Sequence, residues 1–208
     1  MLAVGGAAAL LREREVPPSK TGSSAAAPTE SARVARVVDG DTVRLESGDD
    51  VRLVGIDCPE RGEPFHDEAK SLAARLLEGR PVTLEFDEER RDRYGRLLAY
   101  VFAGDDPAAR EFANEALVRA GLAWCYEVAP NTRHRDRLRA AQDEARRERR
   151  GVWADGTAGA EGEVIASASG RFHRPSCASV ASIKAPVRHP SRSAALDAGL
   201  APCRQCKP

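Results

Sequence analysis

From residue 32 onward, short apolar runs alternate with clusters of turn-forming residues. The first run ends at Asp39-Gly40-Asp41, the second ends at Ser47–Asp50, and the third is Val51–Ile56. Gly and Asp in such positions are typical of tight turns between antiparallel strands. The pattern therefore predicts three short strands joined by turns.

The apolar spacing then changes to that of a helix over Pro64–Glu78, which Gly79 can close in a left-handed conformation. Alternation returns at 82–86 and 96–102, and helical spacing resumes at 111–120 and 132–150. Five strands with a helix between the third and the fourth follow the order of an OB-fold barrel. We therefore expect a mainly β domain: a five-stranded OB barrel with three helices.

Composition divides the chain into four segments. Met1–Leu11 is apolar, and Val16–Ser31 is rich in Pro, Ser, Thr and Ala, so residues 1–31 are predicted to be a leader and linker. Met1–Leu11 is too short to span a bilayer and lacks a positive start, which leaves an export-signal remnant or a disordered leader. The export alternative predicts a secreted or envelope-associated protein. We expect the barrel domain over 32–154, a linker over 155–168 and a small module over 169–208.

The charge is unevenly distributed along the 208 residues. Lys and Arg number 32 and Asp and Glu number 32, which gives a net charge of zero, and 42% of the residues are hydrophobic. That apolar share is sufficient for a packed core and excludes a wholly disordered chain. The segment 169–208 nevertheless holds seven basic residues and one acidic residue, a net charge of +6. Such a basic end suggests an anionic partner.

Acidic and basic residues at the strand ends form the candidate catalytic site. Asp41 follows the first turn, and Asp57 and Glu60 follow the third strand, so neighbouring strands would bring three carboxylates together. Clustered carboxylates repel one another unless a cation offsets their charge, and an all-oxygen set suits calcium. Arg52 and Arg96 also lie at strand ends, and their planar guanidinium groups are fitted to phosphate. Acids, a metal ion and two arginines together indicate phosphodiester hydrolysis.

The segments DGDTVRL, VRLVGIDCPE, DRYGRLLAYV and NEALVRAGLAW resemble the staphylococcal (micrococcal) nuclease family, in the family's order, over about residues 32–154. The resemblance implies an OB barrel with three helices. It also implies a thermonuclease-like endonuclease or exonuclease that hydrolyses DNA and RNA with calcium and low base specificity, leaving 3′-phosphate ends. We expect nucleic acid as the substrate and a monomer without an obligate protein partner.

The same resemblance implies roles for individual residues. The family's calcium ligands match Asp41 and Asp57, with the backbone carbonyl of Cys58 at a position where the family often has Thr. The general base and the two phosphate-binding arginines match Glu60, Arg52 and Arg96. The positions that contact the terminal phosphate, the sugar and a base match Arg93, Tyr94 and Tyr126.

Two other functions compete with the enzyme hypothesis. One is a catalytically silent nucleic-acid-binding OB module with a zinc-stabilised DNA-docking tail, and the other is a DNA-damage protein acting through that tail. Silent members of such a family lose the acids or the arginines, whereas this chain keeps both sets. We therefore expect the chain to be an enzyme.

The C-terminal segment carries two pairs of metal ligands, His173-x3-Cys177 and Cys203-x2-Cys206. This is the spacing of a structural zinc site, and about 40 residues are too few for a stable apolar core without a metal. A helix is predicted over Ser193–Gly199. The segment is similar to the metal-binding domain of the Ada methyl-phosphotriester repair protein, which uses four cysteines. His173 replaces the first of these, which favours a structural or DNA-docking role over methyl transfer.

Two cysteines and three histidines remain outside these sites. Cys58 and Cys125 are either a disulfide or two separate thiols, and we favour the thiols. His66, His134 and His189 have no partner visible in the sequence and are predicted to lie at the surface.

Overall fold

The structure is a computed structural model that describes residues 27–104, 110–154 and 162–208. The candidate export segment Met1–Leu11 and most of the predicted leader lie outside the described residues. No helix in these three ranges combines the length and the apolar character needed to cross a bilayer.

The first domain combines a strand meander with three helices. Its strands are β1 (Thr29–Asp39), β2 (Thr42–Leu45), β3 (Asp50–Leu53), β4 (Ile56–Asp57), β5 (Pro81–Glu85), β6 (Leu97–Ala103), β7 (Glu111–Phe112) and β8 (Trp124–Cys125). Its helices are α1 (His66–Leu77), α2 (Ala113–Arg119) and α3 (Arg135–Arg147).

Five of these strands close into a barrel. β1 pairs antiparallel with both β2 and β5, and β2–β3 and β5–β6 are further antiparallel pairs. The barrel closes where β3 runs parallel to β6, with Val51 opposite Leu97 and Leu53 opposite Ala99. The inward-facing residues Val34, Val43, Val51, Leu53 and Leu84 are almost completely buried. The predicted five-stranded barrel with helices is confirmed.

The predicted third strand, Val51–Ile56, is wrong in its second half. β3 ends at Leu53, the chain turns at Gly55 with a φ of 80°, and Ile56–Asp57 pairs with β8 instead. A Cβ atom on Gly55 would lie 2.6 Å from Cδ1 of Leu138 in α3, so the turn depends on a close approach that local alternation does not reveal. This turn moves Asp57 out of the barrel wall.

The C-terminal module is a small sheet with one helix. It contains β9 (Val164–Ala166), β10 (Arg171–His173), β11 (Val187–His189), α4 (Arg192–Asp197) and β12 (Ala201–Pro202). The strand order is β11-β9-β10-β12, and α4 overlaps the helix predicted over 193–199. β9 lies inside the predicted linker 155–168. The sequence did not predict this strand, because its apolar triplet is short and is flanked by Gly, Ala and Glu. The strand β1 likewise begins three residues before the predicted domain start.

The two parts of the molecule share a second apolar cluster. Ala145 of α3 and Trp153 pack together with Val164, Phe172 and Leu196 of the module, all of them buried. Apolar burial of this kind is the main favourable contribution to association between packed elements. The module is therefore packed on the end of α3 and not merely tethered to it.

Candidate active site and metal centre

The turn between β1 and β2 approaches the segment after β4 because residue 40 is glycine. A Cβ atom on Gly40 would lie 2.9 Å from both Cβ and Sγ of Cys58 and 3.0 Å from Cβ of Ala69. This approach lets Oδ2 of Asp41 accept a hydrogen bond of 2.9 Å from the backbone N–H of Cys58. The acid after β1 is thereby held beside Asp57.

Arg52 joins the two predicted calcium-ligand aspartates. Its Nη2 atom lies 3.0 Å from Oδ2 of Asp41 and 3.3 Å from Oδ1 of Asp57. Both aspartates are buried, with 6% and 1% of their surface exposed, so their repulsion is little screened by water. Burial acts to lower the pKa of Arg52, but the charges of Asp41 and Asp57 outweigh it and the pKa is raised. The arginine therefore remains a fixed positive charge between the acids.

Cys58 lies in the same negative surroundings. Burial, followed by the charge of Asp41, raises the pKa of its thiol well above the usual value. All five cysteines of the chain are free, so Cys58 and Cys125 are two separate thiols, as predicted. The Cys58 side chain is thus a protonated thiol, which leaves the backbone carbonyl as the group able to bind a hard cation.

Two arginines of the C-terminal module reach the same acids. Nη2 of Arg204 lies 2.5 Å from Oδ1 of Asp57, and its Nη1 forms an ion pair with Oε1 of Glu60. Nη2 of Arg171 donates a 2.9 Å hydrogen bond to Oδ2 of Asp57. Asp57 therefore contacts guanidinium groups of Arg52, Arg171 and Arg204. Sequence reasoning missed both module arginines, whose only signal was the net positive charge of the tail.

The predicted phosphate and sugar contacts lie on the loop before β6. Arg96 forms an ion pair with Asp92, at 2.7 Å from Nη2 to Oδ2, and Asp92 also accepts hydrogen bonds from the backbone N–H groups of Tyr94 and Arg96. Burial acts to raise the pKa of Asp92, but the Arg96 side chain and these backbone donors lower it overall. Tyr94 is 69% exposed, with the guanidinium of Arg93 over its ring at 4.8 Å.

Ion pairs connect some of the predicted catalytic residues directly. Asp41, Arg52, Asp57 and, through Arg204, Glu60 form one connected cluster of charges. In the described part of the chain the ion-pair partner of Arg96 is Asp92.

Tyr126, the predicted base-stacking residue, contacts the C-terminal module. Its hydroxyl donates a 2.7 Å hydrogen bond to the carbonyl of Ser169. The guanidinium carbon of Arg171 lies 4.7 Å from the centre of its ring. In this arrangement a cation from the module covers the ring.

The surface prediction for His66 is wrong. Its residue surface is only 8% exposed, and its Nδ1 lies 3.0 Å from the carbonyl oxygen of Pro59 and 3.4 Å from Oδ1 of Asp39. Pro59 lies on the loop after β4, and Asp39 is the last residue of β1. His66 therefore supports the loop that carries Glu60.

The four predicted zinc ligands come together in the C-terminal module. The candidate ligand atoms of His173, Cys177, Cys203 and Cys206 all lie within 4.8 Å of one another. Tetrahedral bonds of about 2.3 Å to sulfur place the ligand atoms about 3.8 Å apart, within this limit. Nδ1 of His173 is buried and has no hydrogen-bond partner within the described ranges, and a bound metal would supply one. The cluster therefore fits a closed four-coordinate metal centre.

The acid cluster and the metal centre adjoin each other. A cavity of about 280 Å³ is lined by Asp57, Phe65 and Trp124 of the barrel domain together with Cys203 and Arg204 of the module. Arg204 stands in sequence between two of the candidate metal ligands, so it connects the metal centre directly to the acids.

Known proteins resemble this chain over the barrel domain. The family model described as staphylococcal nuclease homologue matches residues 50–155. A thermonuclease of Staphylococcus hyicus is 33% identical over 147 residues, which cover 66% of this chain and 84% of that protein. A thermonuclease of Staphylococcus intermedius is 38% identical over 60% of this chain and 76% of its own length. An uncharacterized endonuclease of Escherichia coli O157:H7 is 39% identical over 59% of this chain and 76% of its own length.

Proposed function

The chain belongs to the staphylococcal nuclease family and is a phosphodiester hydrolase, and we propose that it cleaves DNA and RNA with calcium as its cofactor. The proposal extends to low base specificity and to products that end in 3′-phosphate. The observation that carries it is the pair of buried aspartates, Asp41 and Asp57, held around Arg52 with Glu60 beside them.

The groups at this site fit calcium. Asp41 and Asp57 offer carboxylate oxygens and Cys58 offers a backbone carbonyl, which together form the hard oxygen set that calcium prefers. The protonated thiol of Cys58 does not add a soft ligand that would favour another metal. When bound, the ion would polarise the scissile phosphate and offset negative charge on it.

The chain's own residues supply the remaining parts of the reaction. The Glu60 side chain is 41% exposed, so it is accessible to water and can orient a water molecule or accept its proton. Arg52 and Arg96 donate hydrogen bonds to phosphate oxygens and stabilise the charge that grows in the transition state. Arg93 and the exposed Tyr94 contact the neighbouring phosphate and sugar.

For the C-terminal module we propose a structural zinc ion held by His173, Cys177, Cys203 and Cys206. Supporting this are the convergence of the four side chains and the buried, unpartnered Nδ1 of His173. A closed set of four ligands leaves no open position for chemistry, so the ion would stabilise the module's fold.

Digestion assays test the catalytic proposal. The purified chain should degrade single-stranded DNA and RNA when calcium is present and stop when a calcium chelator is added, and end-group analysis should find 3′-phosphates. Arg96→Ala should lower kcat about 100- to 1000-fold, since a charge-stabilising donor is lost. Arg135→Ala, an exposed change of equal charge on α3, serves as the control. A folded sample that leaves nucleic acid whole in millimolar calcium would leave a silent binding module as the alternative.

We also propose that the protein is secreted or envelope-associated, on the basis of the apolar segment Met1–Leu11. Fractionation of cells that produce the chain should find it outside the cytoplasm. Nuclease retained wholly in the cytoplasmic fraction would contradict this.

A further inference from the structure

The guanidinium group of Arg204 lies between two acids of the proposed catalytic site. One of its terminal nitrogens contacts Asp57 and the other contacts Glu60. Both terminal nitrogens therefore face carboxylates of the proposed calcium site. A cation in this position takes up the same carboxylate oxygens that a metal ion would need.

Arg171 adds a second module cation to the same aspartate. Its Nη2 contacts Oδ2 of Asp57, while its Nη1 donates a 2.9 Å hydrogen bond to the carbonyl of Pro202. With Arg204 on Oδ1, each oxygen of this buried carboxylate has a guanidinium partner from the module. The 2% exposure of the Asp57 side chain means that these contacts are only weakly screened by water.

The module itself is held firmly in place. The backbone N–H of Glu127 donates a 3.1 Å hydrogen bond to the carbonyl of Gly199, and Trp153 lies in the apolar cluster shared with the module. Releasing the whole module would expose that cluster to water, which is costly. The Arg204 side chain is 40% exposed and can leave the acids by rotation alone.

We propose that Arg204, supported by Arg171, competes with calcium for Asp57, so that the zinc-binding module lowers the calcium affinity of the nuclease. This inference rests on the proposed calcium-dependent function. Calcium and the arginine cannot hold the same oxygen together, so the equilibrium between them reduces the apparent affinity for the ion. Because Arg204 stands between Cys203 and Cys206, an ordered metal centre keeps its backbone beside the acids. By thermodynamic reciprocity, calcium displaces the arginine to the extent that the arginine weakens calcium binding.

Calorimetric titration of the zinc-loaded, full-length chain with calcium tests this. Arg204→Ala should bind calcium about fivefold more tightly than the wild type, a value at the low end of typical coupling because Arg204 is partly exposed. Arg204→Lys, which keeps the charge but loses the two-pronged contact, should fall between them. Arg188→Ala is the matched control, since it removes the same charge from the same module and pairs only with Glu163 in the ion pairs of the described residues.

The possible outcomes distinguish failure of this inference from failure of the proposed calcium-dependent function. Equal calcium affinity in the wild type and Arg204→Ala would overturn the inference and leave calcium-dependent catalysis intact. Weaker DNA binding by Arg204→Ala with unchanged calcium affinity would also overturn it, because the arginine would then be a phosphate ligand. Absence of calcium binding in both the wild type and Arg204→Ala would overturn both proposals.

Discussion

Replacing Gly40 with alanine tests how the acids are brought together. Carbon atoms in ordinary contact lie about 3.5–4.0 Å apart. The added Cβ would lie 2.9 Å from Cβ and Sγ of Cys58 and 3.0 Å from Cβ of Ala69, so the packing around it must open by more than half an ångström. Overpacking of this kind costs about 1–3 kcal/mol, which corresponds to a decrease in Tm of about 2–12 °C.

Activity should fall further than the stability loss explains. The shift that relieves the contact also moves the Cys58 backbone N–H away from Asp41, and a displacement of about 1 Å at a catalytic site can cost about 100-fold in rate. Thermal unfolding and initial rates on single-stranded DNA measure the two effects on the same sample.

A double-mutant cycle identifies the cause. Cys58→Gly removes both atoms of that residue which the new methyl would meet, and it keeps the backbone carbonyl. Combining it with Gly40→Ala should recover more than about 1 kcal/mol relative to the sum of the single changes. Additive losses, or a Gly40→Ala protein as stable and active as the wild type, would refute the role given to this contact.

Two further perturbations test other parts of the molecule. Burial acts to raise the pKa of Glu115, but its bonds to Arg137 and Arg119 lower it below the usual 4.5, so its ionised form stabilises the fold above that pH. Glu115→Gln should therefore lower the free energy of unfolding, measured by urea denaturation at pH 7, by about 1 kcal/mol. The difference from the wild type should shrink as the pH falls below about 4. A difference that does not depend on pH would contradict this. Chelation of zinc, or Cys206→Ser, should loosen the module and shift the tryptophan fluorescence, to which the buried Trp153 contributes, to longer wavelength. A folded chain without bound zinc and with unchanged emission would rule out the structural metal.

The barrel could be predicted from the sequence because its signals are local. Alternating apolar positions and the Asp-Gly turn after β1 identify the strands without knowledge of what packs on them. The division between β3 and β4 could not be predicted, because it depends on the approach of Gly55 to Leu138, which lies in a helix far along the chain. A run of apolar residues gives no sign of such a bend.

The contacts of the candidate site also fall into those that the sequence predicts and those that it does not. Asp41 directly precedes β2, and Arg52 lies on the paired strand β3, so their meeting follows from strand order. Asp57 reaches them only through the turn at Gly55, which the sequence did not reveal. Arg171 and Arg204 lie 114 and 147 positions beyond Asp57, and their approach depends on how the module docks. The metal ligands can be identified from their spacing in the sequence. No spacing rule identifies which side chains of the module contact the barrel domain.

The shared apolar cluster has a consequence for shortened forms of this enzyme. A chain ending at residue 154 would leave Ala145, Val152 and Trp153 facing water, since Phe172 and Leu196 now cover them. Exposed groups of that kind promote self-association and precipitation. A change in calcium affinity or activity after such a truncation would combine the effect of aggregation with the loss of two basic side chains from the acid cluster. A single substitution in the intact chain alters the electrostatics alone.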